Sequence, residues 1–356
     1  MITLKEIAHI CGVSTSTVSN ILNGKHNVSE ETRQKVLKVI KDTQYQPNSI
    51  AQGLRNQKTR LIGIIAEDVS IFTTPAIIES IMGYYETTKY KFVLENLQLY
   101  GRWKDTWYDD KEKYFSVLQP ALQELLSIKV DGIIYIAGHA RIINCFSNDF
   151  QVPAVMTYAY SGSEKFPSVV LDDEKGGYDM TKYLISMGHQ RIGLIGGRPD
   201  NIHTQKRLQG YQKALFESGV LFDPDLIRYG SWERESGYQE AKNLIGKNVT
   251  AIFCLCDRMA GGAYDYLLEH HFSIGKDISV SGYDNQIISE YMGPALTTVN
   301  LPLSQIGSRA AEILLTLMES GESDTASLNI PTETRFPCSL VIRDSVKNIR
   351  ENIGKT

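Results

Sequence analysis

A chain of 356 residues is long enough for two core domains and a small appendage, and a 42% share of hydrophobic residues is ordinary for a globular protein in water. No run of 18 apolar residues occurs, and MITLKEIAHI lacks a basic segment followed by an apolar stretch, so a cytoplasmic protein is expected, with no membrane partner. The net charge of −4 hides an asymmetry: residues 1–60 hold nine Lys/Arg against four Asp/Glu, and the other 296 hold 28 against 37. A basic head on an acidic body favours phosphate contacts at one end.

Residues 3–24, TLKEIAHICGVSTSTVSNILNG, read as a helix-turn-helix. Leu4, Ile7, Ala8 and Ile10 form one apolar stripe, Gly12 supplies the turn, and Val13 and Val18 close a small core. Ser14 sits where an N-cap belongs, ahead of a second helix from about Thr15 to Leu22 whose outer face carries Thr15, Ser16, Ser19 and Asn20. Such short polar side chains suit a helix whose first turn enters a major groove, and Thr15, Ser16 and Asn20 are the candidates for base readout. Asn20 can take both edges of adenine. A third helix begins at the cap Ser29, with Glu30 and Glu31 at the positive end of its dipole and Val36, Leu37 and Ile40 facing inward. Lys5, Lys25, Arg33 and Arg55 are candidates for phosphate contacts or for plain solvation, and Ser14, Asn23 and Asn48 join them on the DNA backbone. A three-helix packing module without nucleic acid is the competing reading.

The segment 46–59, QPNSIAQGLRNQKT, is a boundary opened by Pro47. Ser49 to Asn56 can form about two helical turns, too few to persist alone in water with Gly53 inside them, so this piece is expected to fold when DNA is present. Beyond Arg60, apolar runs at 61–66, 91–95, 131–136, 153–157, 192–196, 251–255 and 278–282 alternate with helical patterns near 75–89, 111–128, 175–187, 205–218, 236–245, 257–270 and 303–320. This alternation predicts an α/β body of two doubly wound parallel sheets, divided near residue 160, behind an all-α head. In residues 99–114, LYGRWKDTWYDDKEKY, Trp103 and Trp107 are spaced to share a helix face, as packing or as a contact with a ligand or partner. The five cysteines are odd in number and lie in apolar contexts, which predicts reduced thiols; no metal-ligand spacing or cofactor motif appears.

Ligands of such sheets bind beyond the carboxyl ends of the strands, so a cleft between the halves is the expected pocket. Just past strand ends come Phe72 and Thr73, His139, Tyr158, Asp257 and Asp284; Arg207 lies in RLQG and Trp232 in YGSWERESG. A flat aromatic face for the C–H side of a pyranose, with an arginine and carboxylates for its hydroxyls, is the chemistry of a sugar site. Each residue has a plainer alternative: Arg207 pairing with Asp257 or Asp284, Trp232 packing its loop, Asp284 capping the GYDN turn. An enzyme is disfavoured, because G-x-S-x-G, H-E-x-x-H, P-loop and G-x-G-x-x-G motifs are all missing. A transport-type binding protein is disfavoured by the 58-residue head.

The run VSTSTVSNILNG, then NVSEETRQKVLKVIKDTQYQPNSIAQGLRNQKTRLIGII, closely resembles the DNA-binding and hinge region of the lactose/galactose repressor (LacI/GalR) family of transcription factors. The likeness continues through LDDEKGG at 171–177, GHQRIGLIGG at 188–197, RLQGYQKAL at 207–215, CDRMAGGAYDYL at 256–267 and ISVSGYDN at 278–285. It implies a periplasmic-binding-protein-like body in which the chain crosses between halves near 160, 290 and 322. The implied domains are a helix-turn-helix at 1–46, a hinge at 47–59, an N-terminal effector subdomain at 60–159 plus about 291–321, a C-terminal one at 160–290 plus about 322–343, and a tail at 344–356. It also implies a homodimer on palindromic operator DNA, a repressor controlled by a small molecule, a carbohydrate on the chemistry above, and no enzymatic activity. Leu54 matches the hinge leucine that wedges a minor-groove step, the alternative being linker packing. Arg207, Trp232, Asp257 and Asp284 match positions lining the effector cleft, and Phe72 matches less closely. Two positions depart from the family: Asn20 stands in place of the usual arginine and Cys256 in place of asparagine, which bear on operator and effector respectively.

Overall fold

The computed structural model describes residues 2–22, 24, 28–45, 58–104, 106–147, 149–320 and 328–350. Two compact units divide between Arg60 and Leu61.

The head contains α1 (Leu4–Cys11), α2 (Thr15–Leu22) and α3 (Glu30–Asp42). A capping box starts α1: the Thr3 N–H donates to Glu6 Oε2 at 2.7 Å and the Glu6 N–H to Thr3 Oγ1 at 3.3 Å, which satisfies two otherwise orphaned donors. Gly12 ends the helix at φ +65°, a conformation that disfavours a side chain. The core is Ile7, Ala8, Cys11, Val18, Ile21 and Val36. Two expectations are corrected here. Ile10 is 53% exposed, because the helical repeat brings Cys11, not Ile10, onto the face of Ile7; Leu37 is also exposed, and Val39 packs in its stead.

The body begins with β1 (Leu61–Ala66), α4 (Thr73–Tyr84), β2 (Lys91–Asn96), α5 (Leu99–Trp103), α6 (Lys111–Ser127), β3 (Gly132–Ile136), β4 (Ile142–Ile143), β5 (Ala154–Thr157), β6 (Tyr160–Ser161) and β7 (Ser168–Asp172). It continues with α7 (Asp173–Ser186), β8 (Ile192–Gly196), α8 (Ile202–Glu217), β9 (Ile227–Tyr229), α9 (Arg234–Ile245), β10 (Ala251–Cys254), α10 (Asp257–Glu269) and β11 (Ser279–Ser281). The last elements are α11 (Ile288–Tyr291), β12 (Thr298–Asn300), α12 (Leu303–Ser320), β13 (Glu333–Pro337) and β14 (Ser339–Val341).

A six-stranded parallel sheet, in order β13-β7-β5-β3-β1-β2, forms the first lobe, and a four-stranded parallel sheet, β11-β10-β8-β9, forms the second. Central strands such as LIGIIA and GIIYI are apolar throughout because helices cover both faces. The strand pairing moves the expected crossings. β7 and β13 both belong to the first sheet, so the chain leaves that lobe after Asp172, comes back to it after Asn300 and leaves again after Pro337, not near 160, 290 and 322. The supposed tail is also packed as far as it is described. Ser345 is buried and donates to the carbonyl of Val280, while the Ile349 N–H donates to the carbonyl of Met187.

α7 and α8 lie unusually close. A Cβ on Gly177 would stand 2.3 Å from the Arg207 carbonyl oxygen, and one on Gly210 would stand 2.0 Å from that of Glu174. The glycines therefore set the helix spacing that delivers Arg207 to the cleft. Among the described residues no helix is long and apolar enough to cross a membrane.

Candidate functional site

In the head, α2 presents Thr15 and Ser16 exposed and Asn20 half-buried. Ser14 holds the start of that helix, accepting the Thr17 N–H at 3.1 Å, with the Ser16 and Thr17 hydroxyls 2.7 and 2.8 Å away. Lys5 is exposed and Arg33 half-buried. Asn23, Lys25, Asn48, Leu54 and Arg55, and the two-turn helix expected at 49–56, lie outside the described residues.

In the body, one cavity lies between the lobes. Phe72, His139 and Tyr158 wall it from the first lobe; Arg207, Trp232 and Asp284 wall it from the second. The structure thus brings together six of the eight positions picked out for this role and corrects two. Thr73 is fully buried at the start of α4 and does not reach the cavity. Asp257 follows its strand as Asp284 does, but its carboxylate turns away, accepting from Thr298 Oγ1 at 2.5 Å and from the Gln286 N–H at 2.7 Å, so it fastens β12 to α10. Tyr100, His203, Glu233, Cys256, Arg258 and Gln286 also line the cavity. His203 and Arg258 carried a readable signal, since each lies within one turn of a helix that starts at a strand end.

Asp173, the first residue of α7, organises the floor. Its Oδ1 accepts Arg207 Nε and its Oδ2 faces His203 Nδ1, both at 2.7 Å, and all three side chains are almost wholly buried. Burial alone would raise the Asp173 carboxyl; His203 and Arg207 outweigh it and hold the group below the ordinary carboxylate range. Arg207 also donates to the Leu255 carbonyl at 2.6 Å, lies 3.7 Å from Asp284 Oδ1, and stacks 3.6 Å from the Tyr283 ring centroid. The Ala140 N–H of the first lobe donates to His203 Nε2 at 3.0 Å. That nitrogen is then an acceptor, which places the imidazole proton on Nδ1 toward Asp173 and leaves the ring neutral.

Backbone strain gathers at the same place. Tyr158 (φ +63°), Trp232 (φ +66°) and Asp284 (φ +108°) all line the cavity in the left-handed region, which costs about 1–3 kcal/mol for each such residue. Burial pushes the Asp284 carboxyl up to about 7 despite the pull of Arg207 and Gln286, and burial lowers His139 to about 3, helped by the nearby guanidiniums of Arg141 and Arg207.

The aromatic segment 99–114 splits in two, with Trp103 ending α5 and Trp107 in the following turn, so the two tryptophans do not share a helix face. Trp107 is buried beneath the Arg141 guanidinium, 4.6 Å from its ring centroid. Its neighbours cross the cleft. Tyr100 donates to Glu233 Oε1 at 2.9 Å, Tyr108 accepts from Asn201 at 3.3 Å, and Asp109 pairs with Arg198 at 3.2 Å. His139 and Trp232 stack across the same gap, with centroids 6.5 Å apart.

A helix-turn-helix head together with a two-lobed body that encloses a polar-aromatic cavity defines a ligand-responsive DNA-binding protein. The comparisons with known proteins agree: the model for bacterial regulatory proteins of the lacI family matches residues 3–48, and that for the periplasmic binding protein-like domain matches residues 181–346. The HTH-type transcriptional regulator RegA of Clostridium saccharobutylicum is 32% identical over 90% of this chain and 94% of its own length. The ribose operon repressor of Haemophilus influenzae is 30% identical over 98% of this chain and 100% of its own length. The crystal structure of the lac repressor dimer bound to operator and the anti-inducer ONPF aligns with a TM-score of 0.78 at 26% identity, covering 97% of this chain and 99% of that one. The chain belongs to the lacI family of bacterial regulatory proteins: it is a transcriptional regulator with a DNA-binding head and an effector-binding body.

Proposed function

We propose that the protein is a cytoplasmic repressor that binds a palindromic operator as a homodimer and is controlled by a carbohydrate held between the two lobes of its body. The observation that carries the effector reading is the cavity itself, walled from both lobes by aromatic faces and hydrogen-bonding side chains, three of them on strained backbone. A flat ring such as Trp232 suits the C–H face of a sugar, and Arg207 and Asp284 suit its hydroxyls. Because both lobes contribute walls, ligand binding shifts the balance between open and closed arrangements, and the hinge at 47–59 transmits that shift to the head.

Thr15, Ser16 and Asn20 read base edges, Leu54 wedges the operator centre, and Lys5, Ser14, Asn23, Lys25, Asn48 and Arg55 contact the backbone. Dimer formation has physical support in the first lobe: β2 is an edge strand with Leu94 46% exposed, and Met82 and Tyr84 on α4 are also exposed. An uncovered edge beside apolar side chains favours burial against a second copy. The lac repressor structure is that of a dimer on its operator, which supports the same arrangement here. Site selection from random duplexes tests the reading: the enriched sequence is an inverted repeat, and enrichment of an unrepeated half-site alone would remove the dimer on a palindrome. A thermal-shift screen of neutral sugars tests the effector, since a ligand at 100 times its Kd adds about 2.7 kcal/mol.

A further inference from the structure

The charges around the cavity are unevenly committed. Both guanidiniums that reach it are already paired: Arg207 with Asp173 at 2.7 Å, and Arg258 with both oxygens of Glu233 at 2.9 and 3.0 Å, the latter carboxylate also taking the Tyr100 hydroxyl. Asp284 faces the same space with a 3.7 Å approach from Arg207 and a 3.2 Å hydrogen bond from Gln286. His203 adds no charge, since its Nε2 accepts the Ala140 N–H. Three carboxylates therefore stand against two cations, and protonation of Asp284 only brings the sum to zero.

The backbone is committed in the same way. The loop that enters α4 holds its own buried carboxylate, Asp68, which accepts the Ser70 N–H at 3.0 Å and the Gly101 N–H at 2.9 Å. At the start of α10 the Met259 N–H is taken by the Cys256 sulfur at 3.4 Å. Donors that would otherwise cradle an anion are thus met by the protein's own side chains.

We propose that this cavity takes an uncharged polyhydroxy ligand and rejects its phosphorylated or carboxylated counterpart, with Asp284 as the partner of a ligand hydroxyl. The inference rests on the carbohydrate reading above and narrows it. A phosphate would have to break the Arg258–Glu233 pair and leave Glu233 and Asp284 uncompensated beside a dianion in a mostly buried site, where like charges are poorly screened. A hydroxyl meets no such obstacle. It can donate to the ionised Asp284 or accept from the protonated one, and burial raises that carboxyl into the range where both forms occur.

Calorimetric titration of the full chain with matched pairs tests this: ribose and ribose 5-phosphate, glucose and glucose 6-phosphate, fructose and fructose 1-phosphate, cellobiose and cellobiose 6-phosphate. The expected result is binding of an uncharged member with its phosphorylated counterpart at least 100-fold weaker. A phosphorylated member that binds as tightly or more tightly overturns the charge argument and leaves the carbohydrate reading standing, whereas silence from every pair removes the carbohydrate reading itself. Glu233→Gln and Asp284→Asn, each checked for folding by urea unfolding, supply the second readout. Each should narrow the ratio between members of a pair at least tenfold, and an unchanged ratio in both would show that these carboxylates are not the discriminator.

Discussion

Replacing Asp173 by Asn probes how the floor of the cleft is held. The carboxylate makes two 2.7 Å contacts with groups that are almost wholly buried, Arg207 Nε through one oxygen and His203 Nδ1 through the other. The new amide has one acceptor, which can still take the Arg207 Nε–H, but its NH2 then points at His203. If the imidazole keeps its proton on Nδ1, two donors meet there. If the proton moves to Nε2, two donors meet at Ala140, whose N–H now donates to that nitrogen. Neither tautomer satisfies both neighbours. Stripping a buried arginine of its charged partner costs about 3–5 kcal/mol, and the retained hydrogen bond puts this variant near the lower end. The donor mismatch adds about 1–3 kcal/mol. All three tryptophans, Trp103, Trp107 and Trp232, lie in the body, so urea unfolding followed by tryptophan fluorescence reports on that unit. A double-mutant cycle with His203→Leu should give a coupling of at least about 1 kcal/mol. Loss of under about 0.5 kcal/mol for Asp173→Asn, or strict additivity in the cycle, would refute the argument.

Three further outcomes follow from the same geometry. Gly177→Ala places a Cβ 2.3 Å from the Arg207 carbonyl, so it should destabilise the body by about 2–3 kcal/mol and weaken effector binding, which the same unfolding assay and a ligand titration check. Asp284 has an ordinary pKa of 3.8 raised to about 7 in the folded chain, so its contribution to stability is complete below the ordinary value and is lost as pH rises through the raised one. Asp284→Asn escapes that loss and should gain on the order of 2 kcal/mol over wild type at pH 8 relative to pH 4; a pH-independent difference in urea unfolding would contradict this. Asn20→Arg should change the preferred base at one position of each half-site from adenine toward guanine, read by selecting sites for both proteins, and an identical consensus would remove Asn20 from base readout.

Much of this architecture can be read from local pattern. Runs such as LIGIIA and GIIYI announce strands buried on both faces, and the capping residues and Gly12 mark the helix ends of the head. What sequence reasoning missed is mostly non-local. β13 reads as polar because it is an edge strand, ETRFP, closed by Pro337, and the short β7 beside it meets β5 at only two positions, so neither strand stands out as part of the first sheet and the three crossings are expected too early. Asp173 lies in a motif that is easy to see, but its partners come from a helix 30 and 34 residues further on. The opposite roles of Asp257 and Asp284 follow from which neighbour each carboxylate meets, Thr298 or the open cavity, and the spacing from the preceding strand is blind to that. Cys256 caps α10 through its sulfur, which accepts the Met259 N–H at 3.4 Å, a task that propensity assigns to Ser, Thr, Asp or Asn.

The account stands or falls on linkage between the cavity and the head. With an operator obtained by site selection and a sugar obtained from the thermal-shift screen, the sugar's Kd is measured by calorimetry on the free dimer and on the dimer saturated with operator, and the operator's Kd is measured with and without sugar. Coupling through one pair of conformations requires both affinities to change by the same factor, about 5- to 150-fold for an ordinary allosteric regulator. A sugar whose affinity is the same on the free protein and on the operator complex would contradict control of DNA binding through this cleft.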